Sequence, residues 1–117
     1  MIARSWKKGI YEGPPKRNRS HWLLLKPEEV KKIPSGLRFH HFSEWEIGKD
    51  NPVEPHQHNG IEFYYILEGR GVMRIGKEEQ AVGPGDVIYI PPDTEHTCRV
   101  LGSTPLLRAL GIVLLLE

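Results

Sequence analysis

Apolar and polar stretches alternate over short intervals along this chain, and Gly or Pro punctuates nearly every change. Leu37–Ile47 is rich in aromatic and β-branched residues, which suits a pleated, half-buried strand. Ile61–Leu67, Val72–Ile75, Glu78–Val82, Asp86–Ile90, His96–Leu101 and Leu106–Leu116 read as further strands. Their separators are turn-formers: Glu68-Gly69-Arg70-Gly71, Gly76-Lys77, Gly83-Pro84-Gly85, Pro91-Pro92-Asp93 and Gly102–Pro105. His21–Lys26 is a shorter strand candidate, and the last strand is expected to bend at Gly111. Pro27–Lys32 reads as one helical turn, with Pro first, acids early and bases late, and Ile33-Pro34-Ser35-Gly36 ends it. Gly48–Pro55 reads as a loop, turning at Asp50-Asn51-Pro52. Residues 1–20 read as irregular, because Gly13-Pro14-Pro15 blocks regular structure. The pattern predicts an all-β chain with at most one short helical turn near residues 27–33. Closure into a barrel or double-sheet roll would remove its exposed edges.

Length and composition narrow this picture. A chain of 117 residues fits one domain with its own core. One cysteine, Cys98, leaves no internal disulfide framework and fits a reducing cytoplasm. No apolar stretch follows the basic N-terminus, so no signal peptide is expected. Leu106–Leu116 is interrupted by Arg108 and Gly111 and falls short of the roughly 20 apolar residues a helical membrane span needs. Residues 1–20 carry six Lys/Arg against one Glu, so +5; the whole chain sums to +1, which leaves −4 for residues 21–117. Residues 1–20 therefore read as a basic arm and 21–117 as the barrel. An acidic body without a helix-turn-helix pattern argues against nucleic acid as a partner. Trp6, Tyr11 and Trp22 among the charges suggest that the arm packs on its own subunit or on a second one.

The candidate chemistry lies in His56-Gln57-His58, Glu62 and the distant His96. On a strand, His56 and His58 share a face at a Cα spacing of roughly 6–7 Å, so their imidazoles can converge on one ion. Glu62 follows across the Asn59-Gly60 bend, and an inward Glu62 implies inward Tyr64 and Ile66. An inward His96 likewise implies inward Cys98 and Val100. Four N/O donors without Cys describe a borderline-to-hard divalent site. Such a set leaves coordination positions open, whereas structural zinc sites are usually closed and Cys-rich.

These residues resemble the cupins. The first cupin motif, G-x5-HxH-x3-E-x6-G, is met by Gly48, His56, His58, Glu62 and Gly69, although seven residues rather than five separate Gly48 from His56. The second motif, G-x5-P-x-G-x2-H-x3-N, is met by Gly85, Pro91 and His96, with Asp93 for the glycine and Val100 for the asparagine. Asp tolerates the left-handed geometry such a glycine adopts better than most residues. The resemblance implies a small antiparallel jelly-roll β-barrel. It makes His56, His58, Glu62 and His96 the ligands of one divalent transition metal: Mn, Fe, Ni, Co, Cu or Zn. It also implies a homodimer, often with exchanged N-terminal strands, and a small-molecule ligand; the charge distribution and the short apolar tail lead to the expectation of no nucleic acid or membrane partner.

Within cupins such a site is similar to dioxygenases, decarboxylases and isomerases acting on a small carboxylate, enol or sugar. Retained Glu62 argues against a thiol dioxygenase. A phosphorylated substrate would need a grip, for which Arg70, Arg74 and Arg99 are candidates. Tyr64, His41 and His40 are second-sphere candidates, with Ile66 and Cys98 lining the pocket. Two alternatives are a non-catalytic small-molecule sensor and a purely structural metal barrel. The structural barrel predicts a pocket plugged by aromatics such as Phe39, Phe42, Trp45, Phe63 and Tyr65.

Overall fold

The computed structural model describes residues 2–5, 9–11, 22–30 and 33–116. Ten antiparallel strands follow in order: β1 (Ile2–Ser5), β2 (Ile10–Tyr11), β3 (Trp22–Leu23), β4 (Leu37–Gly48), β5 (Gly60–Glu68), β6 (Gly71–Ile75), β7 (Glu78–Val82), β8 (Asp86–Ile90), β9 (His96–Val100) and β10 (Leu106–Leu116). The expected helical turn is a single 3-10 turn, Pro27–Glu29; residues 31–32 of that expectation lie outside the described residues. No helix among the described residues is long and apolar enough to cross a membrane.

One sheet has five strands in the order β1-β8-β5-β10-β4, another has three in the order β7-β6-β9, and β2 pairs with β3 alone. The turn Gly69-Arg70 carries the chain from the first sheet to the second, because β5 pairs with β8 and β10 while β6 pairs with β7 and β9. Gly69 holds φ +83 there, and a Cβ on it would lie 1.9 Å from the Leu106 carbonyl oxygen. Only glycine meets both demands. The Gly76-Lys77 hairpin also needs glycine first, with φ +60, as two-residue loops between twisted strands do.

Strand alternation fills the space between the two larger sheets. Tyr64 and Ile66 of β5, Ile88 and Ile90 of β8, and Leu107 and Ala109 of β10 meet Met73, Ile75, Val82 and Cys98 from the opposite sheet. Ile66, Met73, Ile88 and Leu107 are completely shielded from solvent. Each such side chain contributes about 1.5–3 kcal/mol of transfer free energy.

Two expectations need correction. Residues 1–20 are not irregular throughout: β1 pairs with β8 (Ile2↔Tyr89 to Ser5↔Asp86) and covers what would be an open sheet edge. Two-residue β2 pairs with β3, which is shorter than His21–Lys26; Gly13-Pro14-Pro15, His21 and the arm's other cations lie outside the described residues. The final strand runs unbroken through Gly111, where a bend was expected. Its register shifts lie between Val113 and Leu114 against β4, and between Arg108 and Ala109 against β5. Gly111 instead supplies room, since a Cβ there would stand 3.2 Å from Trp45 Nε1.

The Arg4 guanidinium anchors β1. Nη1 donates to the Leu24 carbonyl at 2.8 Å and to Glu29 Oε1 at 2.8 Å, and Nη2 donates to Glu29 Oε2. The hydrogen bond from Arg4 leads the effects that hold the Glu29 carboxyl at about 2, below its ordinary 4.5. A carboxyl depressed by folding stabilises the fold above its unfolded value, so this contribution is complete above about pH 4.5 and lost as pH falls towards 2. Glu29→Gln should lower the melting temperature at pH 7 by on the order of a few degrees. The difference should vanish near pH 2, as thermal unfolding at stepped pH will show. Gly102 also has positive φ, +67, but open space where its Cβ would be. Gly102→Ala should therefore cost about 1–2 kcal/mol from backbone conformation alone, and Gly69→Ala clearly more, as urea unfolding will measure.

Candidate metal centre

The site assembles where the ends of β5 and β9 meet the loop that follows β4. That loop is stitched to β9. Val53 N–H donates to the Cys98 carbonyl at 2.9 Å, the Thr97 hydroxyl donates to the Val53 carbonyl, and His56 and His96 exchange backbone hydrogen bonds of 3.2 and 2.9 Å. His56 thus belongs to an isolated bridge rather than to the regular strand expected around it. His58 is fixed through its carbonyl, which accepts from Asp93 N–H at 2.7 Å. Asp93 stands at φ +52, the conformation its motif glycine would take.

One donor atom from each of His56, His58, Glu62 and His96 lies within 4.8 Å of all the others. Glu62 Oε1 is 2.7 Å from His58 Nε2 and 3.3 Å from His96 Nε2. His56 Nδ1 lies 2.7 Å from the Glu54 carbonyl, and His96 Nδ1 lies 2.9 Å from the Thr94 carbonyl. A carbonyl only accepts, so each Nδ1 carries the proton and each Nε2 presents its lone pair to the cluster. Sequence spacing does not reveal these two carbonyls, which set the ring orientation.

Glu62 is 5% exposed and His96 1%. Apart from the neighbouring imidazoles, Glu62 Oε1 and His96 Nε2 are buried without a hydrogen-bond partner among the described residues. A carboxylate oxygen facing an imidazole lone pair repels it unless a cation lies between them. This donor set and its orphaned atoms fit a divalent metal. Burial pushes His58 down, towards the neutral ring a metal needs, while the Glu62 charge pulls the other way. Burial by itself would raise Glu62, but its contacts with His96 and His58 outweigh it and hold the carboxyl below its ordinary value. Burial, reinforced by the neighbouring Glu62 carboxylate, pushes the Tyr64 hydroxyl up, so it stays protonated beside that carboxylate.

A cavity of about 260 Å³ opens beside His56 and Glu62, and Ser43, Trp45, Glu46, Ile47, Val53, Tyr64, Gly111 and Val113 complete its lining. The other candidates from the sequence are placed differently. Ile66 and Cys98, 0% and 2% exposed, share the inward face but sit in the packed core rather than on the cavity wall. Burial pushes the Cys98 thiol up to about 11, so it behaves as a small apolar residue. His41 lies in register with Val113 and Glu62 but two strands away, roughly 10 Å by strand spacing. His40 is skipped at the register shift, so the two adjacent rings meet at 4.8 Å on an exposed edge instead of facing opposite ways. Neither lines the cavity.

The arginines proposed for a phosphate grip are elsewhere. Arg74 donates to the Gly76 carbonyl and to Glu95, Arg99 reaches Glu79, and Arg70 lies beside Gly83. Of the five aromatics expected to plug the pocket, only Trp45 lines it. Phe39 and Phe42 are 65% and 56% exposed, and Phe63 and Tyr65 line a separate apolar hollow with Phe42. Ser43, Ile47, Val53 and Val113 were missed as lining residues. Their signal was the alternation Ser43, Trp45, Ile47 along β4, legible only once the inward face is known.

Known proteins resemble this chain in part. An uncharacterized protein of Methanocaldococcus jannaschii is 50% identical over 52 residues, 44% of this chain and 42% of that protein. A dimethylsulfoniopropionate lyase of Ruegeria pomeroyi is 39% identical over 51 residues, 44% of this chain and 34% of the lyase. The chain thus spans less than half the length of these relatives. The structure of a predicted oxalate decarboxylase from Thermotoga maritima superposes with a TM-score of 0.61 at 24% identity, covering 99% of this chain and 100% of that one, which shows a common fold. A family model for the cupin domain matches residues 41–112. That match runs through strands of both main sheets and takes in all four clustered donors over more than half the chain, so the chain belongs to the cupin family.

Proposed function

We propose that the chain is a metal-dependent cupin enzyme. His56, His58, Glu62 and His96 hold one divalent transition metal, and a small molecule in the adjoining cavity is oxygenated, decarboxylated or isomerised. The observation that carries this reading is the convergence of one donor atom from each of these four residues within 4.8 Å of one another, with Glu62 and His96 buried, beside an open cavity. Such a metal supplies Lewis acidity and, if redox-active, electron transfer. The protein supplies the rest. The Glu54 and Thr94 carbonyls keep two imidazoles in the ligating tautomer. Tyr64 orients the carboxylate. Trp45, Ile47 and Val53 exclude water from one side of the bound molecule. A cavity that the aromatics leave open supports a reactive or ligand-binding centre over a purely structural one.

The reading includes a second copy of the chain as partner. Phe39 and Phe42 project from the outer face of β4, an apolar surface of the kind homodimers cover. Sedimentation should give twice the monomer mass, and Phe42→Glu should give the monomer mass.

Protein purified without chelator should carry one transition-metal ion per chain by elemental analysis. His96→Ala should lose most of it. Tyr64→Phe should keep the stoichiometry and lower affinity about tenfold, as loss of an outer partner does. Affinity should hold at neutral pH and fall as pH drops below the ordinary histidine value of about 6.5, because burial pushes His58 down and a proton competes for its lone pair only there. A chain that takes up no metal at neutral pH overturns the reading.

A further inference from the structure

The wall of the cavity beside Glu62 describes the ligand it takes, an inference that rests on reading the four donors as a metal centre. Among the described residues, the only ionisable groups turned into the cavity near those donors are His56, Glu62 and the protonated Tyr64. Glu46 also lines it, but its carboxylate accepts from Arg108 Nη2 at 2.9 Å, and Arg108 Nη1 lies 3.6 Å from Glu68 Oε2. Register agrees: Glu46, Arg108 and Glu68 form one row across β4, β10 and β5, alternate to the inward row of Trp45 and Ala109. No described Lys or Arg lines the cavity.

Two neutral donors are available instead. Gly111 lies opposite Trp45 and Ser43. A Cβ on it would stand 3.2 Å from Trp45 Nε1 and 3.4 Å from Ser43 Oγ, so both atoms flank the same small space. Neither the indole N–H nor the hydroxyl has a protein hydrogen-bond partner among the described residues. The Trp45 ring is held edge-on against Tyr64 at 5.0 Å, which fixes where its N–H lies. The remaining wall is apolar: Ile47, Val53 and Val113.

Charge counting limits the ligand further. A divalent metal with ionised Glu62 leaves one net positive charge, which one anionic group of the ligand neutralises. A second carboxylate or a phosphate would be desolvated against this wall with no cation to meet it, and such burial is strongly unfavourable. A neutral carbonyl or hydroxyl oxygen would be welcome there, because it pairs donors that are otherwise left without partners.

We propose that this site selects a small ligand with a single anionic, oxygen-bearing head for the metal and a neutral remainder, whose carbonyl or hydroxyl oxygen is met by Trp45 Nε1–H and the Ser43 hydroxyl. Dicarboxylates and phosphate esters are rejected by the same wall.

Titration calorimetry on the zinc-loaded full chain tests this with malate and malate 4-methyl ester, which share the 2-hydroxy acid head and differ in whether the far carboxyl is charged. 3-Phosphoglycerate is the third probe. The ester should bind at least about tenfold more tightly than malate or 3-phosphoglycerate. Trp45→Phe and Ser43→Ala should each weaken ester binding several-fold, leave malate binding unchanged and leave one zinc per chain. Equal or tighter binding of malate or 3-phosphoglycerate, no binding of the ester, or a preference untouched by both substitutions overturns the inference. Zinc content separates the two readings. A chain without zinc overturns the metal centre as well, whereas a zinc-loaded chain that prefers malate overturns only the ligand class.

Discussion

A carboxylate buried among imidazoles is the constraint around which the rest of this barrel is arranged. Glu62 is almost wholly removed from water, and an ionised carboxylate in that position is tolerated only with cationic or hydrogen-bonding company. The company comes from three parts of the chain. His58 lies four residues earlier, His96 lies across the sheet-to-sheet gap, and Tyr64 lies two residues on along the same strand. Backbone carbonyls of Glu54 and Thr94 then decide which nitrogen of His56 and His96 faces inward. Ligand identity is thus a side-chain matter, whereas ligand orientation depends on the path of two loops.

The barrel makes that convergence affordable in conformational terms. Strand β5 carries Glu62, Tyr64 and Ile66 on one face and Phe63 and Tyr65 on the other, so a single strand serves the site, the core and the outer surface. The inward row from His41 through Val113 and Glu62 to Ile90 grades from exposed edge to buried core. The four clustered donors sit near the buried end of that gradient, and the cavity lies along the next rows, where Gly111 leaves room for Trp45. Glu46 lines the cavity with its carboxylate paired to Arg108. The rest of the wall is uncharged, and its polarity is concentrated in the four clustered donors, Trp45 Nε1 and Ser43 Oγ.

Much of the fold was legible from the chain because turn chemistry and alternation are local. The strands from Leu37 onward follow the runs between Gly and Pro to within a residue or two. Asp93 in the place of a motif glycine does take the left-handed conformation. The N-terminal segment was misread, since Ile2–Ser5 has no alternation of its own and becomes a strand only because β8 offers an open edge. The role of Gly111 was only half legible for a related reason. A glycine in a strand signals either a bend or a close neighbour, and only packing tells which.

The sequence by itself determined which residues can bind a metal, because donor chemistry and the His-x-His…Glu…Pro…His order are written in it. It also determined that the chain would be a turn-punctuated β structure. Only the tertiary structure decided which candidates stand together. His41 shares the row of Glu62 yet lies two strands away, Cys98 and Ile66 face inward yet are packed over, and four of the five candidate plugging aromatics do not line the cavity. The physical reason is that alternation fixes the face a side chain takes, while its distance from the site depends on sheet order and register. Those are set by contacts between residues far apart in the chain.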